Sequence, residues 1–216
     1  LDRYPRISRS NGAAPWSTQR WNIVWNRQWS SADEDVRGAQ LDWDGDIVTS
    51  SFSVDFSGYD DEWPTVSSPL DDMNGQRPYL AVYERENYSD GVIMGSVLLD
   101  DTRLSNPNIS ALEGITDRTR RHPAVDSDGQ TFTVMSSRRY STSATDFDVY
   151  ASVFSLNGGD LVPQELNTNL AFSVDYEYDV QLASAYSSGG PRQLSMGVWT
   201  DYGADHDCEG AAFEGP

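Results

Sequence analysis

Short runs of alternating apolar and polar residues recur along the whole chain, and they recur at a fixed interval. One run reads Asp35-Val36-Arg37-Gly38-Ala39-Gln40-Leu41. It returns as Val92-Ile93-Met94-Gly95-Ser96-Val97-Leu98, as Asp148-Val149-Tyr150-Ala151-Ser152-Val153-Phe154, and as Asp207-Cys208-Glu209-Gly210-Ala211-Ala212-Phe213. Alternation with period two over this length predicts a half-buried strand. A small residue (Gly38, Gly95, Ala151, Gly210) holds the same place in every copy, at separations of 57, 56 and 59 residues. A period of that size is the mark of a repeat architecture.

Three further runs keep the period. An apolar strand precedes the first kind: Ile23-Val24-Trp25, Ala81-Val82-Tyr83, Thr133-Val134-Met135 and Gly197-Val198-Trp199. Ahead of it lies a short strand led by proline, Pro5-Arg6-Ile7-Ser8, Pro64-Thr65-Val66-Ser67 and Pro123-Ala124-Val125-Asp126, replaced in the fourth copy by Asp179-Val180-Gln181-Leu182. Proline is expected at the first position of that strand, where its missing N–H costs little. A last strand follows at Phe52-Ser53-Val54, Ile109-Ser110 and Leu166-Asn167, after turns such as Asp44-Gly45 and Asn157-Gly158-Gly159. The one stretch with a helical period, 108–115, is read as strand and loop. Four antiparallel strands in roughly 57 residues describe a propeller blade.

The expected fold is therefore all-β and β-propeller-like, a single repeat domain over 1–216. Its blades fall at approximately 5–63, 64–122, 123–178 and 179–216, the fourth without its last strand. A lone blade cannot bury both faces, so the small residue is expected where adjacent blades approach closely. Strand Cys208 to Phe213 is expected to present an open edge. Such edges are usually covered, here by a second chain, by the remainder that completes the propeller, or by the N-terminal segment around Leu1 to Ile7.

Charge narrows the partners. Against 34 acidic residues stand 15 basic ones, all Arg, for a net charge of −19. That surface repels phosphate backbones and anionic lipid, so nucleic acid and membrane surfaces are poor partners. No apolar stretch reaches the 18 residues of a membrane helix. Acidity, turn-rich repeats and a start without Met together point to a trimmed product that is secreted, extracellular or at the cell surface. Cys208 stands alone, so there is no disulfide framework, and it is expected as a small buried hydrophobe. Asn87-Tyr88-Ser89 and Asn108-Ile109-Ser110 fit the glycosylation acceptor pattern.

The repeats resemble those of extracellular bacterial β-propellers, in which a Val-led strand carrying Arg is followed by an acidic loop and an Asp-Val-Tyr-Ala-like strand. The third unit carries the resemblance through Val134, Arg138, Asp148, Val149, Tyr150, Ala151 and Phe154, and the first through Val24, Trp25, Arg27, Asp35, Val36 and Gly38. The resemblance implies architecture rather than an activity. The Asp-box of sialidases is a different pattern, since Asp126-Ser127-Asp128-Gly129 has the wrong order for it.

Candidate chemistry follows the same frame. The hairpin between second and third strands carries Arg27, Trp29, Asp33 and Asp35 in the first unit, and Arg85, Tyr88 and Asp90 in the second. It carries Arg138, Tyr140, Asp146 and Asp148 in the third, and Asp201, Tyr202, Asp205 and Asp207 in the fourth. In a propeller these loops ring one rim. Aromatic plates beside carboxylates and guanidiniums suit sugars, whose C–H faces stack while hydroxyls hydrogen-bond. The same residues also suit plain cross-turn ion pairs with the aromatic packed above. Asp42, Asp44 and Asp46 resemble the start of a Ca²⁺ loop, without the bidentate Glu that completes it, since Ser51 stands there. Catalytic motifs are scarce: His122 and His206 lie far apart in the repeat frame, and no nucleophile motif accompanies them. The reading is an extracellular recognition or scaffold module that needs no cofactor and binds carbohydrate or a protein partner through one rim. The alternatives are a carbohydrate-active hydrolase on a propeller scaffold and a structural part of a larger surface assembly.

Overall fold

The computed structural model describes residues 1–10, 19–30, 33–70, 77–87, 90–114, 119–139, 141, 145–171, 175–185, 194–203 and 207–214. It is all-β, with four antiparallel sheets arranged as the blades of a β-propeller. The first blade is β1 (Asp2–Ile7), β2 (Trp21–Ser30), β3 (Asp33–Leu41) and β4 (Ile47–Ser53). The second is β5 (Asp60–Val66), β6 (Tyr79–Asn87), β7 (Asp90–Leu99) and β8 (Thr102–Ser105). After a single helical turn, α1 (Ile109–Leu112), comes the third: β9 (Arg120–Ser127), β10 (Phe132–Arg139), β11 (Phe147–Asn157) and β12 (Asp160–Ala171). The fourth has three described strands, β13 (Glu177–Ser184), β14 (Leu194–Asp201) and β15 (Cys208–Glu214), with β15 at its edge.

Cross-strand pairing puts the repeat in register. Arg6 pairs with Val24 and Val24 with Gly38, and Thr65, Val82 and Gly95 repeat the row. Ala124, Met135 and Ala151 form the third row, and Gln181, Val198 and Gly210 the fourth. The four small residues thus occupy one equivalent position. In the third blade Met135, not Val134, stands where Val24 stands in the first, so that run shifts by one residue. What fills the space beside the small residue also differs from expectation. At Gly38 a side chain would strike the ring of Phe52, which belongs to the same blade. Close approaches between blades lie elsewhere, at Gly197, where an added Cβ would strike the end of the Met135 side chain, and at Gly91, where it would sit 2.6 Å from the Arg120 carbonyl oxygen.

Three further expectations change. Proline lies within the inner strand, not at its head, because β1, β5 and β9 begin at Asp2, Asp60 and Arg120. The ladder shifts register just there, so the missing N–H falls at a bulge. Ile109-Ser110 is helical, because the Asn108 side chain caps the turn by accepting from the Ala111 N–H at 2.9 Å, and β8 is the outer strand instead. Cys208 is exposed, since β15 has no neighbour on its outer side among the described residues.

Each consecutive pair of blades buries its own apolar core. Val24, Val36, Val66 and Tyr83 join the first and second. Leu80, Val82, Ile93, Ile109, Val125 and Phe132 join the second and third, and Ala124, Met135, Val149, Val180 and Trp199 the third and fourth. Polar bonds tie the axis. The Asp126 carboxylate on β9 accepts from the Ser68 and Ser184 amides at 3.1 and 2.7 Å, and from Arg9 at 3.4 Å, so one side chain holds all four blades. Asp126→Ala leaves two buried amides unanswered and is expected to cost about 2 kcal/mol in urea unfolding; a loss below about 0.5 kcal/mol would show that the hub is dispensable.

Candidate functional site

Four inner strands surround the axis, and each carries one residue in the left-handed backbone region. They are Tyr4, Trp63, His122 and Asp179, with φ of 50, 53, 49 and 53°. All four are equivalent, directly before Pro5, Pro64, Pro123 and Val180. Non-glycine residues rarely adopt this conformation, and each costs on the order of 1–3 kcal/mol, tolerated where the surroundings force it. Here the bulge forces it, and its effect is to turn four side chains toward one mouth of the axial channel.

Those side chains touch in sequence around the axis. Tyr4 stacks on Trp63 with ring centroids 4.3 Å apart, Trp63 lies 4.8 Å from His122, and His122 lies 5.5 Å from Tyr178. Tyr178 continues the track edge-on to Tyr202 at 5.7 Å and in a stack with Tyr176 at 5.3 Å. Carboxylates border it: Asp179 lies 3.5 Å from His122 Nδ1 and accepts from the Tyr202 hydroxyl at 3.3 Å. Burial holds the His122 imidazole below its ordinary pKa, so it is neutral near pH 7. Glu84, almost fully buried, accepts the His122 backbone N–H at 3.3 Å, and burial pushes its carboxyl up to about 7.

Below this mouth the channel is built in layers of equivalent residues. Arg6, Thr65, Ala124 and Gln181 form a waist shared by the mouth and by a cavity of about 250 Å³ on its far side. Arg6 carries the only charge in that waist.

The rim residues read from the sequence lie on the same end of the molecule, since Arg27 pairs across the ladder with Asp2, just before the bulge. Arg27, Arg85, Arg138 and Asp201 occupy equivalent register positions, opposite Asp2, Asp61, Arg120 and Glu177. Their side chains are engaged differently. Arg27 holds Asp2 at 2.7 and 2.9 Å and lies 5.9 Å from the exposed Trp29 ring. Arg85 is bound to Asp61 at 2.7 Å and to Asp55, between the first two blades. Arg138 bonds Asn167 at 2.7 Å and sits 3.3 Å over the Tyr150 ring. Asp201 accepts the Gly203 N–H at 2.7 Å, and Tyr202 joins the aromatic track. Tyr88 and Tyr140 lie outside the described residues. In the Asp42, Asp44 and Asp46 turn, Asp42 Oδ1 accepts the amides of Asp44 and Asp46 at 3.1 and 2.9 Å, and no set of three metal-donor side chains converges among the described residues.

Sequence reading missed Tyr4, Trp63, His122 and Asp179 as a group. Their signal was present in the thrice-repeated residue-before-proline step, but its side chains are of four different types. No protein-family model and no curated protein matches the chain. Among solved structures it is similar to an exo-1,5-alpha-L-arabinanase from a bovine ruminal metagenomic library, at 11% identity and a TM-score of 0.49, covering 99% of this chain and 73% of that one. It is also similar to a B. megaterium levansucrase mutant, at 11% identity and a TM-score of 0.44, covering 90% and 62% of the two chains. Among the described residues, no helix is long and apolar enough to cross a membrane.

Proposed function

We propose that the bulged mouth of the propeller binds a neutral saccharide chain, as an extracellular recognition module. The observation that carries this reading is the unbroken aromatic track Tyr4–Trp63–His122–Tyr178–Tyr202 with the Asp179 carboxylate beside it. Pyranose C–H faces stack on such rings, while the carboxylate and the neutral imidazole take hydroxyl hydrogen bonds. Backbone bulges keep the rings in place before any ligand arrives, which lowers the ordering cost of binding. The acidic surroundings disfavour polyanionic glycans. Arg6, at the waist, supplies donors to the hydroxyls of a sugar that enters the channel. Trp29 and Arg27 extend the same face outward.

Titration against a panel of neutral oligosaccharides by calorimetry tests this. Trp63→Ala is expected to weaken binding at least tenfold, about 1.4 kcal/mol, the scale of one lost stacking platform. Tyr178→Ala should act alike, and Trp29→Ala less. If no neutral oligosaccharide binds, or if Trp63→Ala binds as the parent does, the reading is wrong.

A further inference from the structure

Equivalent positions in the four blades give an internal measure of what each blade face is packed against. Val24, facing the second blade, is 1% exposed, and its counterparts Val82 and Met135 are fully buried by the blades that follow them. Val198 occupies the same position in the fourth blade and is 36% exposed, beside Met196 at 57% and the exposed Leu194. The opposite face shows the converse. Val66 and Val125 are 6% and 4% exposed under the preceding blade, while their counterpart Ile7 in the first blade is 58% exposed, next to half-buried Ile23 and Trp25. Among the described residues the strands of the first and fourth blades share no extensive packing, and no apolar core joins them.

The two uncovered faces are the two that a neighbour would cover, and both border the same opening. Both flanking blades are tied to the third. Arg9 of the first blade reaches the Ser127 carbonyl of the third at 3.0 Å, and Ser184 of the fourth bonds Asp126 of the third.

We propose that one further four-stranded β-blade, from outside these 216 residues, packs between the fourth blade and the first and closes the ring. It continues the interface that the three existing blade pairs already use. One face meets Leu194, Met196 and Val198; the other meets Ile7, Ile23 and Trp25, with a carboxylate opposite Arg37, which pairs with Trp25 on that side. No single blade of a second copy of this chain meets both faces, because every one of its blades is already packed on at least one face.

Methionine oxidation by peroxide, mapped by mass spectrometry, tests the proposal. In the 216-residue chain Met196 is expected to oxidise at least about tenfold faster than buried Met135. In a chain extended by a copy of the blade at 120–171, Met196 should slow to near the Met135 rate. An extension of equal length that forms a helical hairpin should leave it fast. Met196 already protected in the 216-residue monomer would overturn the proposal. So would protection that comes only with a doubled mass in light scattering, which assigns the face to a second copy. Unchanged Met196 in the extended chain, when amide exchange shows the added blade folded, would overturn it too.

Discussion

Glu113→Ala is expected to cost the fold about 4 kcal/mol, the usual loss when one partner of a buried ion pair is removed. Arg120 is fully buried and donates through Nη1 to the Glu113 carboxylate. Its Nη2 donates to Asn167 Oδ1 at 3.3 Å, an atom also held by Arg138 at 2.7 Å, while Asn167 Nδ2 donates to the Glu113 carbonyl at 3.0 Å. The network joins the end of α1 to β9, β10 and β12, so it locks the link between the second and third blades to the third blade itself. Without Glu113 the Arg120 charge remains buried with only an amide oxygen beside it. For a chain of this size that loss is roughly 8–16 °C in melting temperature. Glu113→Gln, which keeps an acceptor, should fall between. A drop of less than about 3 °C for the alanine variant, by calorimetry, would show that the pair is not what holds this junction.

The second large effect is a dependence on pH. Burial raises Glu84 to about 7, above the ordinary 4.5 that it has when unfolded. Between those values the folded protein binds the extra proton. Stability from this group is therefore complete below about 4.5 and is lost as pH rises to 7, reaching about 3 kcal/mol. Gly91 is part of the cause: a Cβ there would sit 2.7 Å from Glu84 Oε1, so the carboxyl occupies the space that glycine leaves. Glu84→Gln should be more stable than the parent at pH 8 by roughly that amount and indistinguishable from it near pH 4.5. Burial raises Asp61 as well, so the parent's own slope has more than one source and the difference between the two proteins isolates Glu84. Parallel melting-temperature curves for the two proteins from pH 4.5 to 8 would refute the assignment.

Strand content, the four-strand blade, the common frame of Gly38, Gly95, Ala151 and Gly210, and the edge at β15 were legible in the sequence. All of them rest on period-two alternation and turn residues, which are local properties of the backbone. The helical turn at Ile109 and the one-residue shift that places Met135 opposite Ala151 were not. The first depends on a single cap by Asn108, and the second on which of two adjacent apolar residues meets its neighbour strand. The recurring arginines were visible as a set, but not their partners. Arg85 finds Asp55 and Asp61, while Arg138 finds Asn167 and Tyr150, because side chains from other strands decide it. The axial mouth lay furthest from reach. Tyr4, Trp63, His122 and Asp179 share no residue type and stand more than fifty positions apart. Only the winding of the blades about one axis, with a bulge on each inner strand, turns them into neighbours.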